Sequence, residues 1–329
     1  MSSDALARSL RAFIGKPGAP EVARDAVNPA MIRHWCDAME DANPVYTDAA
    51  FAARSAHGQI VAPPAMLNAW TMPGLPGRPP GRADPAGDVY RALDDAGFTS
   101  VVATDSAHDY ERYLRVGDLV HGTGEVEEVS DEKQTGLGVG HFVTTRTTYT
   151  TQTGELVGRM RFRILKFKPG TGRAAPSERP SAAPRALPAR TPRRVTTLRA
   201  SDVKAGDALP PCAVPITTTL IVAAAIASRD YQDVHHDRDL AKQRGSPDIF
   251  MNILTTSGIV ARYASDWAGP EALLRKLAIR LGAPNYPGDA MLLSGSVSAA
   301  SGGEIALTLR GENRLGPHVT GTLSLALPG

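Results

Sequence analysis

Two stretches of the chain share one pattern: turn residues, then apolar and polar positions in alternation. Val116-Gly117-Asp118 opens the first, which runs to Glu125-Val126. Pro287-Gly288-Asp289 opens the second, which runs to Ser296-Val297. Gly-Asp marks a turn, and a period of two after it predicts a strand. Strand-like runs follow at His141–Thr150 and Leu156–Phe167, and again at Glu304–Gly311 and His318–Leu327. Ahead of each set lies a segment of helical period. One opens at Asn28-Pro29, an N-cap followed by proline at the first helical position, and carries Met31, Ile32, Trp35, Ala38 and Met39. The other opens among Thr217–Thr219 and carries Leu220, Ala223, Ala224, Ile226 and Ala227. Leu6, Leu10, Phe13 and Ile14 predict a short amphipathic helix near the N-terminus.

The blocks read as a divergent internal repeat. The first helical segment ends in Asp41-Ala-Asn43-Pro44-Val-Tyr46-Thr-Asp48, the second in Asp230-Tyr-Gln232-Asp233-Val-His235-His236-Asp237. At equal spacing Asp41 matches Asp230, Tyr46 matches His235 and Asp48 matches Asp237. Each half is a helix-first segment followed by an antiparallel meander, which predicts an α+β fold with a sheet wrapped around a helix. The halves differ in the middle. Asn252–Trp267 is helix-like, with Leu254, Gly258, Val260, Ala261 and Tyr263 along it. The matching Ala65–Trp70 is cut short by the proline- and glycine-dense run that starts at Met72. That composition breaks helices, so the central helix of the first half is expected to be short or missing. Between the halves, Pro169 to Arg194 scatters prolines through Ala, Arg and Ser and lacks a usable apolar period, as a disordered linker does. The expected units are therefore 1–168, the linker 169–194, and 195–329.

Composition narrows the functional classes. The net charge of +2 implies no field for nucleic acid. Cys36 and Cys212 form neither a disulfide framework nor a metal-ligand spacing, which fits a reducing compartment. The N-terminus carries Asp4 and no continuous apolar run, unlike a secretory signal. The richest apolar stretch, Leu220–Ala227, is far below the roughly 20 residues that span a bilayer. A cytoplasmic protein without a membrane segment is expected. The sequence contains neither a GxGxxG nor a Walker pattern, so no nucleotide cofactor or flavin is expected. Asp233, His235, His236, Asp237 and Asp239 could be imagined around a metal, but no second ligand cluster accompanies them. No metal is expected either.

The string Ser228-Arg-Asp-Tyr-Gln-Asp-Val-His-His-Asp-Arg-Asp239, with Asp248-Ile-Phe-Met-Asn-Ile-Leu-Thr255 and Asp266-Trp-Ala-Gly-Pro270, resembles R-specific enoyl-CoA hydratases of the MaoC-like, hotdog-fold family. It is similar in particular to the catalytic subunit of actinobacterial dehydratases acting on steroid side-chain thioesters. The first half resembles the non-catalytic partner subunit, so the chain reads as a fusion of the two. The resemblance implies a double hotdog, an acyl-CoA substrate, R stereochemistry at C3, and an oxyanion donor at a backbone N–H near Met251–Asn252. The family usually has glycine near that point, and this chain does not. Arg280 resembles a family position flanking the pocket, and Arg262, Arg275 and Lys276 are further candidates for contacting phosphates of CoA.

The chemistry needed agrees with the residues present. Hydrating an enoyl thioester takes a base to activate water, an acid to protonate C2, and donors for the enolate oxygen. One carboxylate and one imidazole around the same water can perform both proton transfers, and Asp230 and His235 are assigned that joint role. His236 is read as structural, and Asp237 and Asp48 as helix caps. Tyr46 stands where the base would be, and a phenol with a pKa of about 10 is a poor base near neutrality. The first half is therefore expected to be silent and to shape the pocket. Loss of its central helix would open volume for an acyl group bulkier than a straight chain. Alternatives are a polyketide or fatty acyl dehydratase acting on CoA or carrier-protein thioesters, and a non-catalytic thioester-binding scaffold. A homodimer is plausible without any residue that specifies it.

Overall fold

The computed structural model describes residues 3–172 and 192–328. The linker expected at 169–194 thus falls largely outside the described residues. The first half contains α1 (Ser3–Arg11), β1 (Glu21–Val22), α2 (Pro29–Met39), α3 (Pro44–Thr47), α4 (Ala49–Arg54) and α5 (Pro85–Asp95). Its remaining strands are β2 (Ser100–Tyr110), β3 (His121–Val129), β4 (Lys133–Gln134), β5 (Val139–Thr150) and β6 (Leu156–Phe167). The second half contains β7 (Ala208–Ile216), α6 (Thr218–Ala227), α7 (Arg238–Gln243) and α8 (Ile253–Ala268), then β8 (Leu273–Leu281), β9 (Asp289–Ser301), β10 (Glu304–Asn313) and β11 (Gly316–Ala326).

The described strands join in one sheet, in the order β1-β3-β5-β6-β2-β8-β11-β10-β9-β7, with β4 beside β5. Every pairing is antiparallel. Outward from the β2–β8 seam, each half repeats one path: β2-β6-β5-β3 on one side, β8-β11-β10-β9 on the other. The repeat seen in the sequence is thus a pseudo-twofold across the seam. There Asp105 lies opposite Arg280 and Asp109 opposite Lys276, and both pairs are bridged by charge, at 2.8 and 3.4 Å.

The helices start where the capping chemistry says they should. Asn28 accepts the Met31 N–H at 2.9 Å, with Pro29 opening α2. Thr217 accepts the Leu220 N–H at 3.0 Å to open α6. Helix α8 runs through the main core, which both halves share: Ile32, Trp35 and Met39 of α2 pack with Ile259 and Val260. Gly258 makes this approach possible, because a Cβ there would stand 2.8 Å from Met39 Sδ and 3.0 Å from the Trp35 ring.

In the first half, the place of α8 is taken by an eight-residue 3-10 helix, Pro64–Thr71. The expected short central helix is there, and the chain then breaks away through its Pro/Gly run. Two of the elements that were not anticipated shape the first half. Helix α5 follows that run, opened by Asp84, which accepts the Gly87 N–H, and by Pro85. Its Val89 and Leu93 form a second, smaller core with Leu6 and Leu10 of α1 and with Phe98, Val126, Val143 and Ile164. Strand β2 escaped the apolar pattern because its inner face carries Ser106, His108 and Tyr110 at the seam, all buried.

Candidate active site

Helix α6 ends in a left-handed residue, Arg229 (φ 59°), and the Asp230 N–H turns back to the Ala225 carbonyl at 3.0 Å. This places the Asp230 carboxylate inside. The 3-10 turn Asp233–His235 then brings in the imidazole. Both side chains are buried. His235 Nδ1 sits 2.7 Å from the Phe250 carbonyl, which can only accept, so Nδ1 carries the proton. The lone pair of neutral His235 is therefore on Nε2, 3.6 Å from Asp230 Oδ2. That gap is too long for a direct hydrogen bond and suits two groups that address one water. Burial pushes the His235 pKa down, opposed by the Asp230 charge and the Phe250 bond, so the neutral base is favoured.

Asn252 organises the pair. Its Nδ2 donates to Asp230 Oδ2 at 3.0 Å and to Ser228 Oγ at 3.2 Å. Its Oδ1 accepts from the Thr255 N–H at 2.8 Å and the Thr255 hydroxyl at 2.5 Å, capping α8. The same residue thus starts the central helix and fixes the carboxylate. At this helix end, the backbone N–H groups of Asn252, Ile253 and Leu254 donate none of the described hydrogen bonds, and all three residues line the cavity beside the pair. Such a helix start favours developing negative charge.

Three sequence expectations change. The Met251 N–H donates to the Asn285 carbonyl at 3.1 Å and is not free for an oxyanion, whereas the Asn252 N–H donates none of the described hydrogen bonds. Arg280 does not flank the pocket. Alternation along β8 turns Ile279 into the core and Leu281 toward the cavity, while Arg280 stands exposed on the opposite face, bound to Asp105. The other candidate cations are engaged elsewhere. Arg262 is buried and donates to the Met39 carbonyl, Arg275 reaches the Glu111 carbonyl, and Lys276 pairs with Asp109. As expected, Asp237 caps α7 and Asp48 caps α4. Asp233 is paired with Arg244 at 2.6 Å. Among the described residues, no group of three or more His, Cys, Asp or Glu could hold a metal.

The cavity measures about 350 Å³. From Asp230 and His235 its wall passes Leu281 of β8, Val101–Ala103 of β2, Met160, Phe162 and Ile164 of β6, and Thr145 and Thr147 of β5, to Gly124 and Glu125 of β3. Four strand spacings separate β8 from β3, a path of about 19 Å. The cavity therefore extends under the first half's sheet, where an unbroken central helix would have lain. These lining residues were not identified from the sequence; the helix-breaking run after Trp70 was the one signal of them.

The corresponding point of the first half is closed. Glu40 is left-handed (φ 51°) and the Asp41 N–H returns to Cys36, as at Arg229 and Asp230. But Asp41 is held by Arg193 Nη2 at 3.1 Å, and the same guanidinium binds Asp266 at 2.8 Å. Tyr46 is buried, its pKa raised above the ordinary phenol value chiefly by that burial. Pro63 stands at the spacing of Asn252. The residual space measures about 10 Å³, too little for a ligand.

One continuous sheet among the described strands, two halves related across its seam and a pocket at a helix start define a double-hotdog protein. Across nearly its whole length the fold agrees with a solved MaoC-like dehydratase (TM-score 0.73, 21% identity, 97% of this chain and 99% of that one). The family profile described as "FAS1-like, dehydratase domain region" matches residues 12–160. Two Mycobacterium tuberculosis proteins are similar in sequence. The 3-oxo-4,17-pregnadiene-20-carboxyl-CoA hydratase beta subunit is 49% identical over 122 residues, 37% of this chain and 95% of that subunit. The alpha subunit of that hydratase is 46% identical over 154 residues, 46% of this chain and 49% of that subunit. The chain thus spans about half the length of the alpha subunits it matches. The chain belongs to the family of that hydratase beta subunit, and its fold is that of the MaoC-like double-hotdog proteins.

Proposed function

We propose that this chain adds water reversibly across a 2-enoyl-CoA to give a 3-hydroxyacyl-CoA, at one site per chain. The carrying observation is the buried His235–Asp230 pair, 3.6 Å apart, at a helix start that opens into a cavity of about 350 Å³. His235 Nε2 and Asp230 Oδ2 hold one water. The imidazole takes its proton as the oxygen bonds to C3, and the pair returns a proton to C2. Electron density moves onto the thioester oxygen, which the Asn252 N–H receives at the start of α8. The net change is hydroxide at C3 and a proton at C2. R stereochemistry at C3 rests on the family resemblance.

The acyl group is proposed to be bulky, as in a steroid side-chain thioester. The cavity falls within the roughly 300–1,000 Å³ of sites for drug-sized ligands, and apolar residues of the silent half line much of it. The relatives are named for a pregnadiene carboxyl-CoA, which is consistent with that choice. Residues 1–168 are assigned the pocket-shaping half and 195–329 the catalytic half, joined by the linker 169–194. Cytoplasmic residence is part of the proposal, as is a possible homodimer. No described helix is long and apolar enough to cross a membrane.

The test is a panel of enoyl-CoA thioesters graded by size, followed by loss of the conjugated absorbance. The bulky polycyclic ester is expected to give the highest kcat/KM. Preference for a short linear ester would overturn the substrate assignment, and turnover of carrier-protein esters alone would replace it. Absence of turnover with every ester would leave a thioester-binding scaffold.

A further inference from the structure

The far end of the acyl cavity is not apolar. Beyond β3 the wall is completed by Glu21 of β1, by Arg78 from the Pro/Gly run, by Asp84 at the start of α5 and by Tyr90 midway along it. Arg78 Nε lies 3.2 Å from Glu21 and its Nη1 3.7 Å from Asp84, and it donates none of the described hydrogen bonds. Those carboxylates, one of them shared with Arg82 at 3.6 Å, hold Arg78 at the cavity end through ion pairs, neither of which is among the described hydrogen bonds. Tyr90 lies close enough to feel both Arg78 and Asp84, and its hydroxyl likewise makes none of the described hydrogen bonds. Burial pushes the Tyr90 pKa up to about 12, so the phenol keeps its proton. Donors with hydrogen-bonding capacity to spare at the end of an apolar cavity fix the orientation of a ligand. Both groups here are donors. Because two acids, Glu21 and Asp84, face two cations, Arg78 and Arg82, this end carries no net positive charge, so a carboxylate or phosphate is a poor match and a neutral oxygen a good one.

We infer that this end of the cavity is a subsite for a neutral hydrogen-bond acceptor, a ring carbonyl oxygen at the distal end of the acyl group, received by the Arg78 guanidinium and the Tyr90 hydroxyl. The inference rests on the acyl-CoA reading above and adds the polarity of the far end of the substrate. The subsite would select for length and for the oxygen together, because only an acyl group spanning the cavity reaches it.

The test uses two saturated polycyclic acyl-CoA esters that differ only in a distal ketone, with dissociation constants from calorimetry on the full chain. The intact protein is expected to bind the ketone at least about tenfold more tightly, the size of one charge-assisted hydrogen bond. Arg78→Met is expected to bring that ratio close to one, and Tyr90→Phe to reduce it in part. Equal binding of both esters by the intact protein, no binding of either, or an undiminished ratio in Arg78→Met would overturn the subsite. Hydration of the matching unsaturated esters is followed in parallel. Turnover without ketone preference removes the subsite and keeps the activity, whereas ketone preference in binding without any turnover does the reverse.

Discussion

The two helix ends, at Asp41 and at Asp230, share one backbone structure and differ in what surrounds the carboxylate. Each aspartate follows a left-handed residue and hooks its N–H back onto the preceding helix. Around Asp230 stand an imidazole with its lone pair inward, an amide that holds the carboxylate, and an open helix start. Around Asp41 stand a buried phenol, a proline and the Arg193 guanidinium. The comparison teaches that a carboxylate in the right fold position is not enough. It needs a titratable partner and a cavity. The first half has a phenol and almost no space at that point, and the second half's pocket extends under its sheet.

The largest effect should come from removing the base. His235→Ala is expected to lower kcat/KM by about 10² to 10⁴-fold, read on the best substrate with unchanged circular dichroism. A drop of less than tenfold would mean that the imidazole does not carry the proton. Asn252→Ala loses both a hold on Asp230 and a helix cap. It should reduce kcat by a smaller factor and cost about 0.5–2 kcal/mol in unfolding free energy. Loss of stability without loss of kcat would make Asn252 a cap alone.

Acid should act twice. Because the His235 pKa is lowered, the neutral base persists below the ordinary imidazole value of about 6.5. The acid limb of kcat/KM should therefore lie below 6.5, and a limb above it would contradict the assignment. His108 and His318, buried, have pKa values pushed down to about 4. The unfolded chain binds more protons than the folded one between those values, so stability should fall as pH drops from about 6.5 to about 4. The smallest effect is expected from Tyr46→His. With Asp41 held by Arg193 and Pro63 in place of Asn252, a histidine there should add no second site, and turnover per chain should not rise.

Much of this was legible before the fold. The two helix-end strings, the Gly-Asp strands and the helix-breaking run gave the repeat, the short central segment of the first half and the neighbouring burial of Asp230 and His235, because capping, turn and period signals are local. What escaped depends on partners far apart in the chain. Strand β2 reads as polar because its seam face buries Ser106 and His108 against the other half. Arg280 suits a phosphate by chemistry, but strand alternation sends it to the outer face. Met251 and Asn252 are neighbours in sequence, and only the bond to Asn285 tells which amide is committed. Arg193 lies at the end of the stretch read as a linker, and no pattern in the sequence announces its hold on Asp41.

The account depends most on the carboxylate of the second half and its mirror image in the first. Asp230→Asn and Asp41→Asn should be compared in one hydration assay. Asp230→Asn is expected to abolish nearly all turnover while staying folded, and Asp41→Asn to keep turnover while melting at a lower temperature. Equal losses in both variants, or a dead Asp41→Asn beside an active Asp230→Asn, would contradict it.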